Sequence, residues 1–245
     1  MNVLVCISHV PDTTSKINLT PDQRAINTSG IQYIINPYDE IALSKALEIA
    51  EATQGKVTVL HVGDVSTEPT IRKALAIGAD SAVRIDSLPI DGWFVAQQIA
   101  AYAQSQSFDL ILTGKESIDY NGAQVASFVG ELLNIPSVAL ARKISIEGSS
   151  AVIERDIEGG KEVMKVQLPF VAGTGEGVAE TRIPNMRGIM SARTKPLEVI
   201  APVDVQVYTE VLKYSPPAPR EGVTLVPAGQ EEELVAFLHE KAKVI

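Results

Sequence analysis

Met1-Asn2-Val3-Leu4-Val5-Cys6-Ile7-Ser8 opens the chain as one nearly unbroken apolar run. A strand with one wet face alternates apolar and polar side chains. A run without alternation marks a strand buried on both faces, as in a parallel sheet covered by helices. Beyond this run, residues 9–30 are polar and lack a helical period. They read as a long excursion, of the kind that in compact domains carries function or covers a partner. Asn36-Pro37 then starts a helix, with Asn36 as N-cap, Pro37 at the first helical position, and Leu43, Ala46, Leu47 and Ala50 on one face. Residues 56–62 (KVTVLHV) read as a second strand, broken by Gly63-Asp64. Ile71, Ala74 and Leu75 mark a helix that Gly78 ends, residues 82–85 a third strand, and residues 93–103 another helix. Residues 109–113 (DLILT) are a fourth strand, and Val125, Phe128, Val129 and Leu132 form a helical stripe.

Strands alternating with helices at this spacing predict an α/β fold: a Rossmann-like, doubly wound, mostly parallel sheet with helices on both faces. Past residue 136 the period changes. Residues 137–146, 152–157 and 162–168 are strand-like, separated by Glu147-Gly148-Ser149 and Glu158-Gly159-Gly160. Both separators form turns, which predicts antiparallel hairpins extending the sheet. From Pro196 the rhythm fades. Tyr214-Ser215-Pro216-Pro217-Ala218-Pro219 is an extended spacer, followed by a helix with Leu234, Phe237 and Leu238 on one face. Such a helix must dock, back on its own domain or on another chain, and another chain is the expectation. The division expected is a domain over residues 1–195, including a window at 182–195, and a C-terminal arm over 196–245.

The bulk numbers exclude several function classes. The 245 residues are 45 % hydrophobic and 21 % charged, with a net charge of −9, which argues against general nucleic-acid binding. The single cysteine, Cys6, rules out a disulfide framework and a Cys-based zinc site. His9, His61 and His239 are too scattered to suggest a metal site. No apolar run reaches the roughly 18–20 residues a bilayer span needs, and the chain enters a strand at once. The reading is a cytoplasmic protein without a signal peptide, not a membrane protein.

Doubly wound sheets bind ligands beyond the carboxyl ends of their strands, where the loops at residues 8–12, 62–66 and 114–124 leave. In the third, Gly114 lets backbone approach a ligand, and Asp119, Asn121 and Gly122 can turn backbone N–H groups toward a phosphate. A plain capped turn is the other reading. Neither G-x-G-x-x-G nor G-x-x-x-x-G-K-[ST] occurs. In Asn36-Pro37-Tyr38-Asp39-Glu40, Tyr38 offers a flat ring to an aromatic ligand as well as lying at a helix start. The window 182–195 (RIPNMRGIMSARTK) holds four cations, no anion, and apolar Ile183, Met186, Ile189 and Met190. It reads either as a solvated basic loop with buried anchors or as a docking surface with a soft methionine anchor among steering charges. No catalytic triad, nucleophile elbow or carboxylate pair is visible, so any redox chemistry has to come from a bound cofactor.

Val3-Leu4-Val5-Cys6-Ile7, Asn36–Ala42, residues 72–80 (RKALAIGAD), residues 114–124, and residues 184–195 followed by Leu197-Glu198-Val199-Ile200 stand in a fixed order and spacing. In these motifs, and over nearly its whole length, the chain resembles the beta subunit of electron transfer flavoprotein. Residues 153–162 followed by Pro169 are similar to the family signature, departing at Met164, Ala172 and Gly173. The resemblance implies a heterodimer with an alpha subunit that holds the redox-active FAD, and AMP in this subunit's adenine-nucleotide-binding domain, or a second FAD in bifurcating members. Carried over by position, the nucleotide site would use Cys6, Asn36, Pro37, Tyr38, Asp39, Val62, Gly114, Lys115, Asp119, Asn121, Gly122, Ala123, Gln124 and Val125. Val125 stands where AMP-binding members often carry threonine, and Tyr120 departs as well. Tyr38 would lie near the alpha-bound flavin. The basic window is similar to the family's partner recognition loop, with Arg182, Met186, Arg187, Ile189, Met190, Arg193 and Lys195, and Met186 in the position of its anchoring leucine. The arm is similar to the segment that docks on the alpha subunit.

The function implied is an electron carrier subunit with no catalytic side chain of its own. It would serve acyl-CoA dehydrogenase-type flavoenzymes, as in fatty acid beta-oxidation, and a membrane quinone oxidoreductase. Two alternatives accompany it: a bifurcating, NADH-oxidising complex, and a stand-alone adenine-nucleotide-binding stress or signalling module.

Overall fold

A computed structural model describes residues 1–219 and 222–245; Arg220 and Glu221, which fall in the expected arm, lie outside the described residues. The elements run β1 (Asn2–Cys6), β2 (His9–Pro11), β3 (Asn18–Leu19), β4 (Ile26–Asn27), β5 (Tyr33–Ile35), α1 (Pro37–Thr53), β6 (Lys56–Val62), α2 (Glu68–Ile77) and β7 (Ser81–Ile85). They continue as α3 (Gly92–Gln104), β8 (Leu110–Gly114), α4 (Val125–Leu133), β9 (Ser137–Glu147), β10 (Ser150–Ile157), β11 (Gly160–Gln167) and β12 (Phe170–Thr174). Last come α5 (Met186–Ala192), β13 (Leu197–Ile200) and α6 (Glu231–Ala236), which runs on as a wider helical turn over Phe237–Ala242.

Among the described residues nine strands form one sheet in the order β11-β10-β9-β12-β8-β1-β6-β7-β13. From β9 to β13 all neighbours are parallel. The hairpins β9–β10 and β10–β11 are antiparallel and extend the same sheet. The fold is thus Rossmann-like and doubly wound. The opening apolar run has the expected cause: Val3, Val5 and Ile7 pack toward α1 and α2, while Leu4 and Cys6 pack toward α3 and α4. Each fully buried Val, Leu or Ile of this kind contributes about 1.5–3 kcal/mol.

Three features differ from the sequence reading. The polar excursion carries its own small ladders, β2 with β5 and β3 with β4. Strand β12 fills the place between β8 and β9, and β13, drawn from the stretch given to the arm, closes the other edge against β7. The arm's first stretch lies on its own domain. There Val203 exchanges two hydrogen bonds with the Gln98 amide, Tyr214 N–H donates to Gln23 O at 2.8 Å, and Tyr214 Oη meets Tyr120 Oη at 3.0 Å. Helix α6 has no buried residue. Among the described residues no helix is long and apolar enough to cross a membrane.

Candidate functional site

Because β1 lies between β6 and β8, the chain crossovers leave its two sides in opposite directions. Such a switch point opens a crevice beyond the carboxyl ends of the strands. A cavity of about 1000 Å³ lies there. Its walls are the ends of β1 (Cys6, Ser8, His9), β6 (His61 to Asp64) and β8 (Thr113 to Ser117), with Asp119 to Val125 opposite, except that Asn121 does not line it. Leu88 to Gly92 and two arm residues, Thr209 and Val211, complete it. Thr209 is held by a hydroxyl bond to the Asp91 carboxylate, which also caps α3 through Phe94 N–H at 2.7 Å.

Of the residues expected at the nucleotide site, Cys6, Asp39, Val62, Gly114, Lys115, Asp119, Gly122, Ala123, Gln124 and Val125 line the cavity. Asn36, Pro37, Tyr38 and Asn121 are not part of its lining. Asn36 precedes α1, but its side chain does not cap that helix. It reaches across instead: Nδ2–H donates to Glu116 O at 2.8 Å, and Oδ1 accepts from Ile118 N–H at 3.2 Å, fixing the loop that follows β8. Tyr38 has the Lys115 ammonium over its ring, 4.4 Å from the centroid. Asp39 is buried and accepts N–H bonds from Ser8 and Gly114, both at 2.7 Å. Burial pushes its pKa up to about 7, against the pull of those bonds. Gly114 is required by close approach, since a Cβ there would sit 2.4 Å from Asp39 Oδ1 and 2.7 Å from Tyr38 Cβ.

The cavity presents an open helix end. Gln124, at the N-cap of α4, makes no side-chain cap bond, so first-turn N–H groups of this nine-residue helix carry their partial positive charge toward the cavity. Asn121 (φ +50°) and Ala123 (φ +53°), not Gly122, take the left-handed conformations that turn the chain into it. An open helix end of this kind suits a phosphate or another anion. Across the cavity, His61 is buried and its Nδ1–H donates to Ile7 O at 2.8 Å. Its Nε2 therefore carries a bare lone pair and has no hydrogen-bond partner among the described residues. Burial lowers the His61 pKa to about 4, keeping the ring neutral. His9 stacks on Tyr33, centroids 4.2 Å apart, and shares a 2.8 Å hydrogen bond with Thr70. The Cys6 thiol is buried and burial raises its pKa, so it stays protonated and unreactive.

Sequence reasoning missed His61, Tyr33, Thr70, Asp91 and Thr209 as cavity residues. Asp91 was within reach: the loop after β7 leaves the same sheet edge as the other three. Thr209 carries no such signal.

At the far end of α2, the basic window forms helix α5 where a loop was expected. Ile183, Met186 and Met190 are 90 %, 74 % and 69 % exposed. Two of the window's four cations are engaged within the fold. Arg182 forms a fork with Glu51, at 2.6 and 2.9 Å, and the Lys195 ammonium donates to carbonyls at the end of α2. Arg187 and Arg193 are exposed.

Fold and cavity together define a Rossmann-like α/β domain with a ligand-sized crevice at its switch point and a separate apolar helix on its surface. The family model described as "Electron transfer flavoprotein domain" matches residues 24–205. "Electron transfer flavoprotein subunit beta" of Bacillus subtilis is 37 % identical, with all of both chains covered. The protein of that name from Homo sapiens is 31 % identical, covering 100 % of this chain and 99 % of its own, and that from Thermoanaerobacterium thermosaccharolyticum is 33 % identical over 84 % and 81 %. The chain belongs to the electron transfer flavoprotein beta-subunit family, and its role is in electron transfer.

Proposed function

We propose that this chain pairs with an alpha subunit as half of an electron transfer flavoprotein and holds AMP in the switch-point cavity. The observation that carries the nucleotide assignment is the uncapped N-terminus of α4 on that cavity. Backbone groups of Gly122 to Val125 would take the phosphate, and Asp39, through Ser8 and Gly114, would hold the two loops at their spacing. FAD, held mainly by the alpha subunit, supplies the redox chemistry when bound. This chain contributes assembly and docking. Tyr38, half-buried under Lys115, is the aromatic residue assigned to the flavin side.

The complex accepts electrons from acyl-CoA dehydrogenase-type flavoenzymes, as in fatty acid beta-oxidation, and passes them to a membrane quinone oxidoreductase. Its compartment is the cytoplasm, to which a single free thiol is suited. Helix α5 meets the dehydrogenase through Met186, and α6, with no buried residue of its own, docks on the alpha subunit. Met186→Ala is expected to raise the dehydrogenase assay's KM for the complex about tenfold, a loss of about 1.4 kcal/mol, with bound nucleotide retained. Unchanged kinetics would remove α5 from docking.

One observation favours a second reading, a second FAD here with oxidation of NADH. The cavity, about 1000 Å³, lies at the upper end of the roughly 300–1,000 Å³ range of ligand pockets.

A further inference from the structure

We infer that Lys195 and Arg72 are positioning residues that lock α5 onto α2, so that Lys195 serves docking by geometry and not by its charge. The inference rests on the reading of α5 as a docking helix. The last carbonyls of a helix lack intrahelical partners and carry partial negative charge. At the end of α2, Lys195 Nζ donates to Leu75 O at 3.0 Å, Gly78 O at 3.3 Å and Ala79 O at 2.6 Å. In return, Arg72 of α2 donates through Nη1 to Ala192 O at 2.8 Å and Lys195 O at 2.7 Å, at the end of α5. Each segment thus closes the other's carbonyl end.

Two more fastenings fix the start of α5. Asn185 Oδ1 accepts from Gly188 N–H at 2.8 Å. Gly188 itself lies against α2, where a Cβ would come within 2.3 Å of Ala76 O. A seven-residue helix cannot hold its shape alone in water. Without these ties, the segment carrying Met186 and Met190 would have no fixed shape. Held by them, the helix meets a partner already ordered, which lowers the entropic cost of binding. The task of steering an acidic partner then falls to the exposed Arg187 and Arg193.

The test compares Lys195→Met, Lys195→Arg and Arg187→Gln in the complex purified with its alpha subunit. The readouts are KM and kcat for reduction by a dehydrogenase across ionic strength, and amide hydrogen exchange over residues 186–192. For Lys195→Met, KM is expected to rise about tenfold and kcat to change less than about twofold. Its ionic-strength dependence should stay that of the parent, and α5 amides should exchange faster. Lys195→Arg, which can still donate to carbonyls, should restore most of both effects. Arg187→Gln should weaken the ionic-strength dependence and leave exchange alone. Arg72→Gln provides a second break of the lock, with the expectations of Lys195→Met, should that variant not fold. The inference is overturned if Lys195→Met weakens the ionic-strength dependence while exchange is unchanged, or if it alters neither KM nor exchange. If Met186→Ala leaves KM unchanged while Lys195→Met still speeds exchange, the docking reading fails and the lock stands.

Discussion

The N-terminus of α4 and the two ends of α5 are finished in opposite ways. Around α4, Gln124 offers no cap, Ala123 is held left-handed, and the unpaired N–H groups point at a cavity of about 1000 Å³. Around α5, Asn185 closes the N-terminal end and Arg72 the carbonyl end, and Lys195 closes the end of the helix beneath. Unpaired backbone groups are costly unless something meets them. An end left open on a cavity suits the binding site proposed above, and an end closed on all sides suits a platform. The difference also sorts the polar side chains. Those lining the cavity, His61 and Asp39, are buried with shifted pKa values, whereas those in and around α5 are either tied to neighbouring groups of the fold or exposed.

The largest expected effect sharpens that contrast through pH. His61 titrates near 4 when folded and 6.5 ordinarily, so the stability it gives is complete above pH 6.5 and is lost as pH falls toward 4, by about 3 kcal/mol. Asp39 runs the other way. Its pKa rises from 3.8 to about 7 on folding, so its contribution is complete below about pH 3.8 and is lost as pH rises to 7, by about 4 kcal/mol. Between pH 4.5 and 6.5 the two oppose each other. His61→Gln should therefore be less stable at the high end of that range, and Asp39→Asn less stable at the low end. Each slope should approach about 1.4 kcal/mol per pH unit in urea titrations. Parallel profiles for the two variants would break the assignment.

A smaller effect is expected at Gly114. Gly114→Ala forces a methyl group against Asp39 and Tyr38 and should cost about 1–3 kcal/mol, with loss of bound nucleotide. The smallest belongs to Gly122→Ala: nothing lies within 4 Å of a Cβ there, and stability should stay within about 0.5 kcal/mol. If the two variants behave alike in denaturant and in nucleotide content, close backbone approach is not what shapes the site.

Much of this architecture was legible in the chain. The opening apolar run, the helix after Asn36-Pro37 and the hairpins around Gly148 and Gly159 follow from local pattern and turn chemistry. Strand β12 was not recognised, although Phe-Val-Ala-Gly-Thr is a short buried run, because its neighbours β8 and β9 are reached by long connections that no local period announces. The cavity's loops followed from strand order, but the side chains leaning into it did not. Asn36 looked like a cap and is a brace for the loop 80 residues on. Arg182 and Lys195 looked like surface cations because their partners, Glu51 and the end of α2, lie 131 and about 120 residues away. Distance along the chain hid what they hold.

The most direct measurement is of what the purified complex releases on denaturation, quantified by chromatography and mass. One AMP and one FAD per alpha–beta pair is the expected result. Two FAD and no AMP, or no nucleotide beyond the single FAD, would contradict the assignment of the open α4 terminus to an adenylate phosphate.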